Sequence, residues 1–139
     1  MLTTYFLKCI AEDIFKHNET STIPYDLFIG LSSTTPSVDG TGVTEPLSTT
    51  GYARVEIDNS NLIFDEADDS GVVSNHTHIY FPESVLPWDG ITHYIVYDAA
   101  NGGNLLMYGE LNDVINVPIR TVLSIPAGTL QISAGNGGL

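Results

Sequence analysis

The spacing of apolar residues changes once along this chain, at Pro24, and that change restricts the fold more than any motif does. Before it, Leu2, Tyr5, Phe6, Cys9, Ile10 and Ile14 recur at three- and four-residue steps, with Lys8, Glu12, Asp13 and Lys16 elsewhere on the wheel. This predicts an amphipathic helix within residues 1–20, capped by Thr3 or Thr4, favoured at its C-terminal end by Lys16 and ended by the polar run HNETST. After Pro24 the period becomes two: Leu27, Ile29 and Leu31 alternate with Phe28, Gly30 and Ser32. Further strand candidates are 52–58, 72–81, 91–98, 104–111, 114–118, 121–125 and 129–133. Turn signals separate them at Asp39-Gly40, Ser70-Gly71, Asp89-Gly90, Asn101-Gly102-Gly103 and Ala127-Gly128.

Closely spaced short strands with no helices between them exclude parallel βαβ units. The expected class is mainly β: an antiparallel β-sandwich of jelly-roll type with an N-terminal α-helix, residues 1–20 forming the helix and 21–139 the sandwich of a single domain. One stretch, STTPSVDGTGVTEPLSTTG at 33–51, has no apolar periodicity and is expected to be an extended surface loop. Connections of that length are usually contact segments or mobile ones.

Charge removes whole classes of partner. The formal net charge is −13, and the only basic side chains are Lys8, Lys16, Arg54 and Arg120. Binding a phosphate backbone needs clustered Lys and Arg, so direct nucleic-acid binding is not expected. An acidic surface keeps copies apart until specific contacts overcome the repulsion, which suits an assembly component. Cys9 is the one cysteine, so no internal disulfide or cysteine-based zinc site is available, and its apolar neighbours place it in a core. No apolar run approaches the ~18–20 residues of a membrane helix, and the N-terminus lacks a signal-peptide pattern. A soluble protein made in a cytoplasm is expected.

Candidate sites are few. His76 and His78 in the HTH motif stand two apart on a strand, a spacing that presents two imidazoles to one metal, with His93 as a third. The outward face of a strand explains them more simply. Asp65 to Asp69 is dense enough for calcium but lacks the EF-hand order, and a solvated charge run is favoured. No nucleophile elbow, zinc-protease helix or phosphate loop is present, so neither enzyme activity nor a cofactor is expected. Trp88, Tyr94, Tyr97 and Tyr108 have the chemistry of a sugar platform, yet core packing accounts for them, since alternation sets Tyr94 and Val96 on one face and Ile95 and Tyr97 on the other. Two tripeptides, at Asn18 and Asn75, fit the glycosylation pattern, which means nothing without secretion.

The segment GITHYIVYDAANGGNLLMYGEL, followed by VPIRTVLSIPAGTLQIS, resembles the C-terminal half of a family of small tailed-phage virion proteins, commonly called phage tail fibre proteins. Upstream, LFIGLSSTTPSVDGTGVTEPLSTTGYARVEID is similar to the same family through its Thr-x-x-Pro loop, its Gly-x-Glu segment and Gly-Tyr-Ala-Arg, and the N-terminal helix also fits. Departures are Asp89 before Gly90, the Asp65 to Asp69 run and the AGNGGL tail.

The resemblance implies a non-enzymatic structural protein of the virion, synthesised in the host cytoplasm, with no catalytic residues. It is expected to form homo-oligomers, trimers among them, and to contact other virion proteins of the tail, portal-collar or capsid. Capsid decoration and a host-glycan-binding module are the alternatives. Interaction candidates are Thr35, Asp39, Thr44, Glu45, Arg54 and Trp88. Arg54 is expected to pair with a carboxylate, within the subunit in preference to across an interface.

Overall fold

The computed structural model describes residues 1–16, 23, 24, 26–58 and 64–133. The end of the expected helical segment at 17–20, the Asn18 tripeptide, Tyr25 and the AGNGGL tail lie outside the described residues.

Helix α1 spans Thr4–Ala11 and continues into a single π-helical turn, Glu12–Lys16. Thr3 is its cap: the hydroxyl oxygen accepts from the Phe6 N–H at 3.3 Å, satisfying one of the free donors of the first turn. That hydroxyl also donates to Leu105 O at 2.6 Å, so the cap anchors the helix to the sheet as well. Phe6, Leu7 and Ile10 pack against the core and Cys9 is buried, whereas Ile14 and Phe15 are 62% and 85% exposed. The inward apolar face therefore ends one turn earlier than the sequence spacing predicts, where α-helical geometry gives way to the π-turn.

Eight strands follow among the described residues: β1 (Asp26–Ser32), β2 (Val55–Asp58), β3 (Val72–Ser74), β4 (Ile79–Tyr80), β5 (Trp88–Tyr97), β6 (Leu105–Val117), β7 (Ser124–Ile125) and β8 (Gln131–Ser133). All pairings are antiparallel. One four-stranded sheet has the order β2-β1-β5-β6, and two separate two-stranded ladders join β3 to β8 and β4 to β7. The mainly-β, antiparallel fold with an N-terminal helix is thus established.

Each face of the four-stranded sheet is covered differently. Ile29, Leu31, Ile57, Val96, Leu106 and Met107 form the main core with Trp88 and with Ile79, Phe81 and Leu130 from the ladder side. Trp88, Tyr52 and Phe81 interlock there, with the Tyr52 and Trp88 rings edge to face at 5.4 Å, a geometry aromatic quadrupoles favour. Ile95, Tyr97 and Leu105 face the other way, beneath Val43 of the 33–51 loop and beside Tyr108. The alternation expected for β5 is the one found.

Three sequence expectations change. The 72–81 run is interrupted at Asn75, a fully buried side chain whose oxygen accepts from Leu130 N at 2.9 Å and whose amide donates to Thr77 O and Pro126 O. His76 and His78 consequently do not sit on one continuous strand, and a buried Asn75 is closed to glycosylation. The 104–111 and 114–118 runs fuse into β6, because the Asn112–Asp113 interval is a bulge and not a turn: between the pairs His93↔Glu110 and Ile91↔Ile115, residues 111–114 stand against Thr92 alone. Asp89-Gly90 likewise lies inside β5, where Gly90, at φ +69°, accompanies a register shift between Trp88 and Ile91.

Part of the outer edge of β6 is closed by the chain's own start. Thr3 N donates to Leu106 O at 2.9 Å, Tyr108 N to Met1 O at 3.0 Å, and the Met1 ammonium to Tyr108 O at 2.7 Å. Beyond that point the exposed Glu110, Asn112 and Asp113 and the bulge itself oppose further strand addition.

Candidate functional site

The 33–51 loop crosses the outer face of the sheet and is fastened at both ends. Near its start, Ser33 N donates to Thr44 O at 2.9 Å, Thr44 N to the Ser32 hydroxyl at 3.1 Å, and Thr34 Oγ1 to Thr44 Oγ1 at 2.9 Å. Its tip is a tight turn closed by Gly40 N on Ser37 O, in which Asp39 accepts from both the backbone and the hydroxyl of Thr41. Those two bonds hold the Asp39 carboxyl below its ordinary pKa. Asp39, Thr44 and Thr35 are all exposed.

The other fastening is built by the Gly51-Tyr52-Ala53-Arg54 motif. Glu45 receives Arg54 Nε at 2.9 Å and Nη2 at 2.8 Å, a bidentate pair whose arginine side chain is only 7% exposed. The Nη1 group donates to Ala99 O and Gly102 O, both at 2.8 Å, so the same guanidinium grips the Ala-Ala-Asn-Gly-Gly turn between β5 and β6. Its plane lies on the Tyr97 ring, with Cζ 3.6 Å from the centroid. Burial acts to lower the Arg54 pKa, but Glu45 outweighs it, and the net direction is upward.

Tyr52 completes the cluster from the core side. Its ring is buried in the main core, while its hydroxyl donates to Glu45 Oε1 at 2.7 Å and accepts from Leu31 N at 2.9 Å. Burial, with Glu45 adding to it, drives the phenol far above its ordinary pKa, so it remains a neutral donor. The absence of a side chain at Gly30 of β1 makes the arrangement possible: a Cβ there would stand 2.5 Å from the Tyr52 hydroxyl and 3.1 Å from Glu45 Oε1. Gly103, at φ +75°, likewise leaves room for Asp98, whose carboxylate accepts from the backbone and side-chain amides of Asn104.

The work of this cluster is mechanical. It clamps the long loop, the start of β2 and the β5–β6 turn to one sheet, and the Arg54–Glu45 pair is intramolecular. Trp88 serves the same rigidity from inside: it is 1% exposed and its indole N–H donates to Thr50 O at 3.1 Å, which leaves no surface for a partner.

The metal candidates do not converge. His76 Nδ1 lies 3.5 Å from Asp65, His78 is against the Tyr80 ring, and the buried His93 shares its Nδ1 with the Thr92 hydroxyl. Asp68, within the acidic run, caps a turn by accepting from Ser70 N and Val72 N, and Asp69 is exposed. Among the described residues no three His, Cys, Asp or Glu side chains gather into a metal-binding group, and no helix is long and apolar enough to cross a membrane.

No pattern in the sequence signals the loop end that the structure assembles. Leu47, Val85, Leu86, Ile119 and Val122 are each at least half exposed. They come from three loops that hydrogen bonds hold together. Val85 N donates to Thr50 O at 2.8 Å, Ser84 N to Thr121 O at 3.0 Å and Arg120 N to Ser84 O at 2.8 Å.

The clamp is built from residues that carry the family resemblance, Gly51-Tyr52-Ala53-Arg54 and the Ala-Ala-Asn-Gly-Gly turn. No curated protein matches the chain. The family model of the Podophage GP4 fiber I protein gp80 matches residues 2–133, nearly the whole chain, and the chain belongs to that phage fibre family.

Proposed function

We propose that the protein is a non-enzymatic structural unit of a tailed-phage fibre, acting by protein–protein assembly in the virion as a homo-oligomer. The observation that carries this reading is the Arg54 clamp: the polar groups of the motif shared with the family are spent on holding loops rigid, not on a ligand. A unit built into a particle needs a stiff body and fixed loop ends, and both faces of the four-stranded sheet are packed for that. The partners are other virion proteins of the tail or portal-collar, and residues 1–139 act as one domain. Cover by the two ladders over one face of the main sheet supports the jelly-roll description of the sandwich.

Mass spectrometry of purified particles, with copy number taken against the major capsid protein, tests the proposal. A few to a few tens of copies fits a fibre on the tail or collar. Hundreds of copies would replace it with capsid decoration, and absence from particles would sink it and favour a free glycan-binding module.

A further inference from the structure

We infer that Asn101-Gly102, in the turn between β5 and β6, is a site at which the folded chain modifies itself: the Asn101 side chain closes onto the Gly102 nitrogen, and the isoaspartyl product pulls the turn out of the Arg54 clamp. The site is independent of how copies assemble.

Ring closure at an Asx-Gly step needs an electrophilic side-chain carbon, a free peptide nitrogen after it and room for a five-membered ring. Glycine supplies the room, having no Cβ to collide with the ring, and the attack is intramolecular because the two groups are held one residue apart. Three such steps lie among the described residues: Asp39-Gly40, Asp89-Gly90 and Asn101-Gly102. The structure separates them. Gly40 N donates to Ser37 O at 3.0 Å, and Gly90 N donates to the Asn116 side-chain oxygen at 2.8 Å, so each nitrogen must give up a hydrogen bond before it attacks. Asp39 is held further by its two bonds from Thr41. The Asn101 side chain and the Gly102 N–H make no hydrogen bond among the described residues. Asn101 also brings the better electrophile, since the negative charge of a carboxylate repels a nucleophile. Both residues are exposed, and a Cβ at Gly102 would meet nothing within 4 Å. The turn borders an open hollow of about 270 Å³ shared with Glu45 and Ser48, so water reaches it.

A solvent base takes the Gly102 amide proton as the nitrogen attacks Asn101 Cγ. The N–Cγ bond forms, the Cγ–Nδ2 bond breaks, and Nδ2 takes up a proton and leaves as ammonia. Water then opens the succinimide. Breaking the new N–Cγ bond gives aspartate in an unchanged main chain. Breaking the original peptide bond gives isoaspartate, whose main chain runs through Cβ and Cγ and is one methylene longer. Arg54 gives that second product its consequence. Its Nη1 holds Ala99 O and Gly102 O, both at 2.8 Å, and these two carbonyls bracket Asn101. A methylene inserted between them lengthens a span fixed by a single nitrogen, and at least one bond is lost. Crowding removes the slack: a Cβ at Gly103 would stand 2.5 Å from Asp98 Oδ1 and 2.7 Å from Ala99 Cβ.

The experiment ages the full chain in near-neutral buffer below its unfolding temperature, beside a sample held unfolded in denaturant. Peptide mapping by mass spectrometry, with electron-transfer fragmentation, tells aspartate from isoaspartate. The unfolded sample gives each step its intrinsic rate. Folding should slow Asp39 and Asp89 at least about fivefold more than Asn101, the factor that one ordinary hydrogen bond is worth. Equal slowing at all three steps, or an Asn101 that stays intact in the folded chain, overturns the inference. Stability reads the second half. Aged wild type should lose thermal midpoint in step with its isoaspartate content at Asn101. Asn101→Gln, whose longer side chain closes a six-membered ring far more slowly, should keep its midpoint through the same treatment. Fresh Asn101→Asp carries the new charge without the added methylene and should melt with fresh wild type. A midpoint that does not move on ageing, an equal loss in aged Asn101→Gln, or the same loss in fresh Asn101→Asp would each overturn the release of the clamp.

Discussion

The two arginines beyond the helix occupy opposite environments. Arg54 is buried in a clamp where Nε and Nη2 hold Glu45, Nη1 holds two backbone carbonyls, and Tyr97 lies beneath the guanidinium. Arg120 is exposed in a left-handed backbone conformation among apolar neighbours. In a chain this acidic, one cation is spent on stiffness inside, and the other makes no ion pair among the described residues. Substitutions at the two positions should accordingly change stability in opposite directions.

The largest effect is expected at the clamp. Arg54→Ala leaves Glu45 half-buried without its partner and frees two carbonyls, and removing one member of a buried pair costs about 3–5 kcal/mol. Urea unfolding monitored by circular dichroism should show that loss. Arg54→Lys should recover only part of it, because an ammonium cannot reproduce the bidentate fork or lie flat on Tyr97. A loss under about 1 kcal/mol would reduce the clamp to an ordinary surface pair.

Next comes Gly30→Ala, which forces a methyl group to within 2.5 Å of the Tyr52 hydroxyl and 3.2 Å of Arg54 Cγ. Overpacking of this kind costs about 1–3 kcal/mol. The comparison is sharpened in a Tyr52→Phe background, where the nearest atom is gone: the Gly30→Ala penalty should shrink there, and a double-mutant cycle that proves additive would show the two sites to be uncoupled.

The same tyrosine gives the clamp a pH limit. Burial raises its pKa above the unfolded value of 10.0, so folding favours the protonated phenol. Its contribution is complete below pH 10 and falls as pH rises past that value toward the folded pKa. Tyr94, also raised by burial, adds to the trend. Thermal midpoints measured from neutral pH upward should therefore drop steeply on the alkaline side, and Tyr52→Phe should flatten the slope while lowering the plateau. An unchanged slope would show that Tyr52 ionises freely in the folded protein.

Of the clamp, only the need of Arg54 for a carboxylate was legible in the sequence, and of the loop end nothing, for a physical reason. A carboxylate partner for Arg54 is expected because a buried arginine is nearly always paired, with a partner in the same subunit preferred to one across an interface. Which carboxylate was not legible, since Glu45 meets Arg54 only after the 33–51 loop folds back over Gly30. Period-two alternation placed Ile29, Leu31, Val96 and Tyr97 on their correct faces, because a strand's pleat is local. It failed at Asn75, where a buried side chain breaks the strand to bind two distant segments, and at Asn112–Asp113, where polar residues that resemble a turn form a bulge. Trp88 stands both as a core residue and as an interaction candidate on sequence alone; its 1% exposure leaves only the core role. The apolar loop end had no signature at all, since Leu47, Val85 and Ile119 become neighbours only through hydrogen bonds to Thr50 and Ser84.

The smallest expected effect is also the one that separates the two arginines most cleanly. Arg120→Gly relieves a left-handed conformation that costs an ordinary residue about 1–2 kcal/mol. Against this stands the extra freedom that glycine gives the unfolded chain, about 0.4–1 kcal/mol. The balance is a gain of about 0.5 kcal/mol, to be read by urea unfolding at concentrations low enough that assembly adds nothing to stability. Arg54→Ala, by contrast, should lower stability by several times that amount. A residue retained for folding would lose stability on substitution, as Arg54 is expected to do. If Arg120→Gly instead destabilises the protein, the left-handed arginine belongs to the scaffold, and the contrast between the two cations fails at its weaker end.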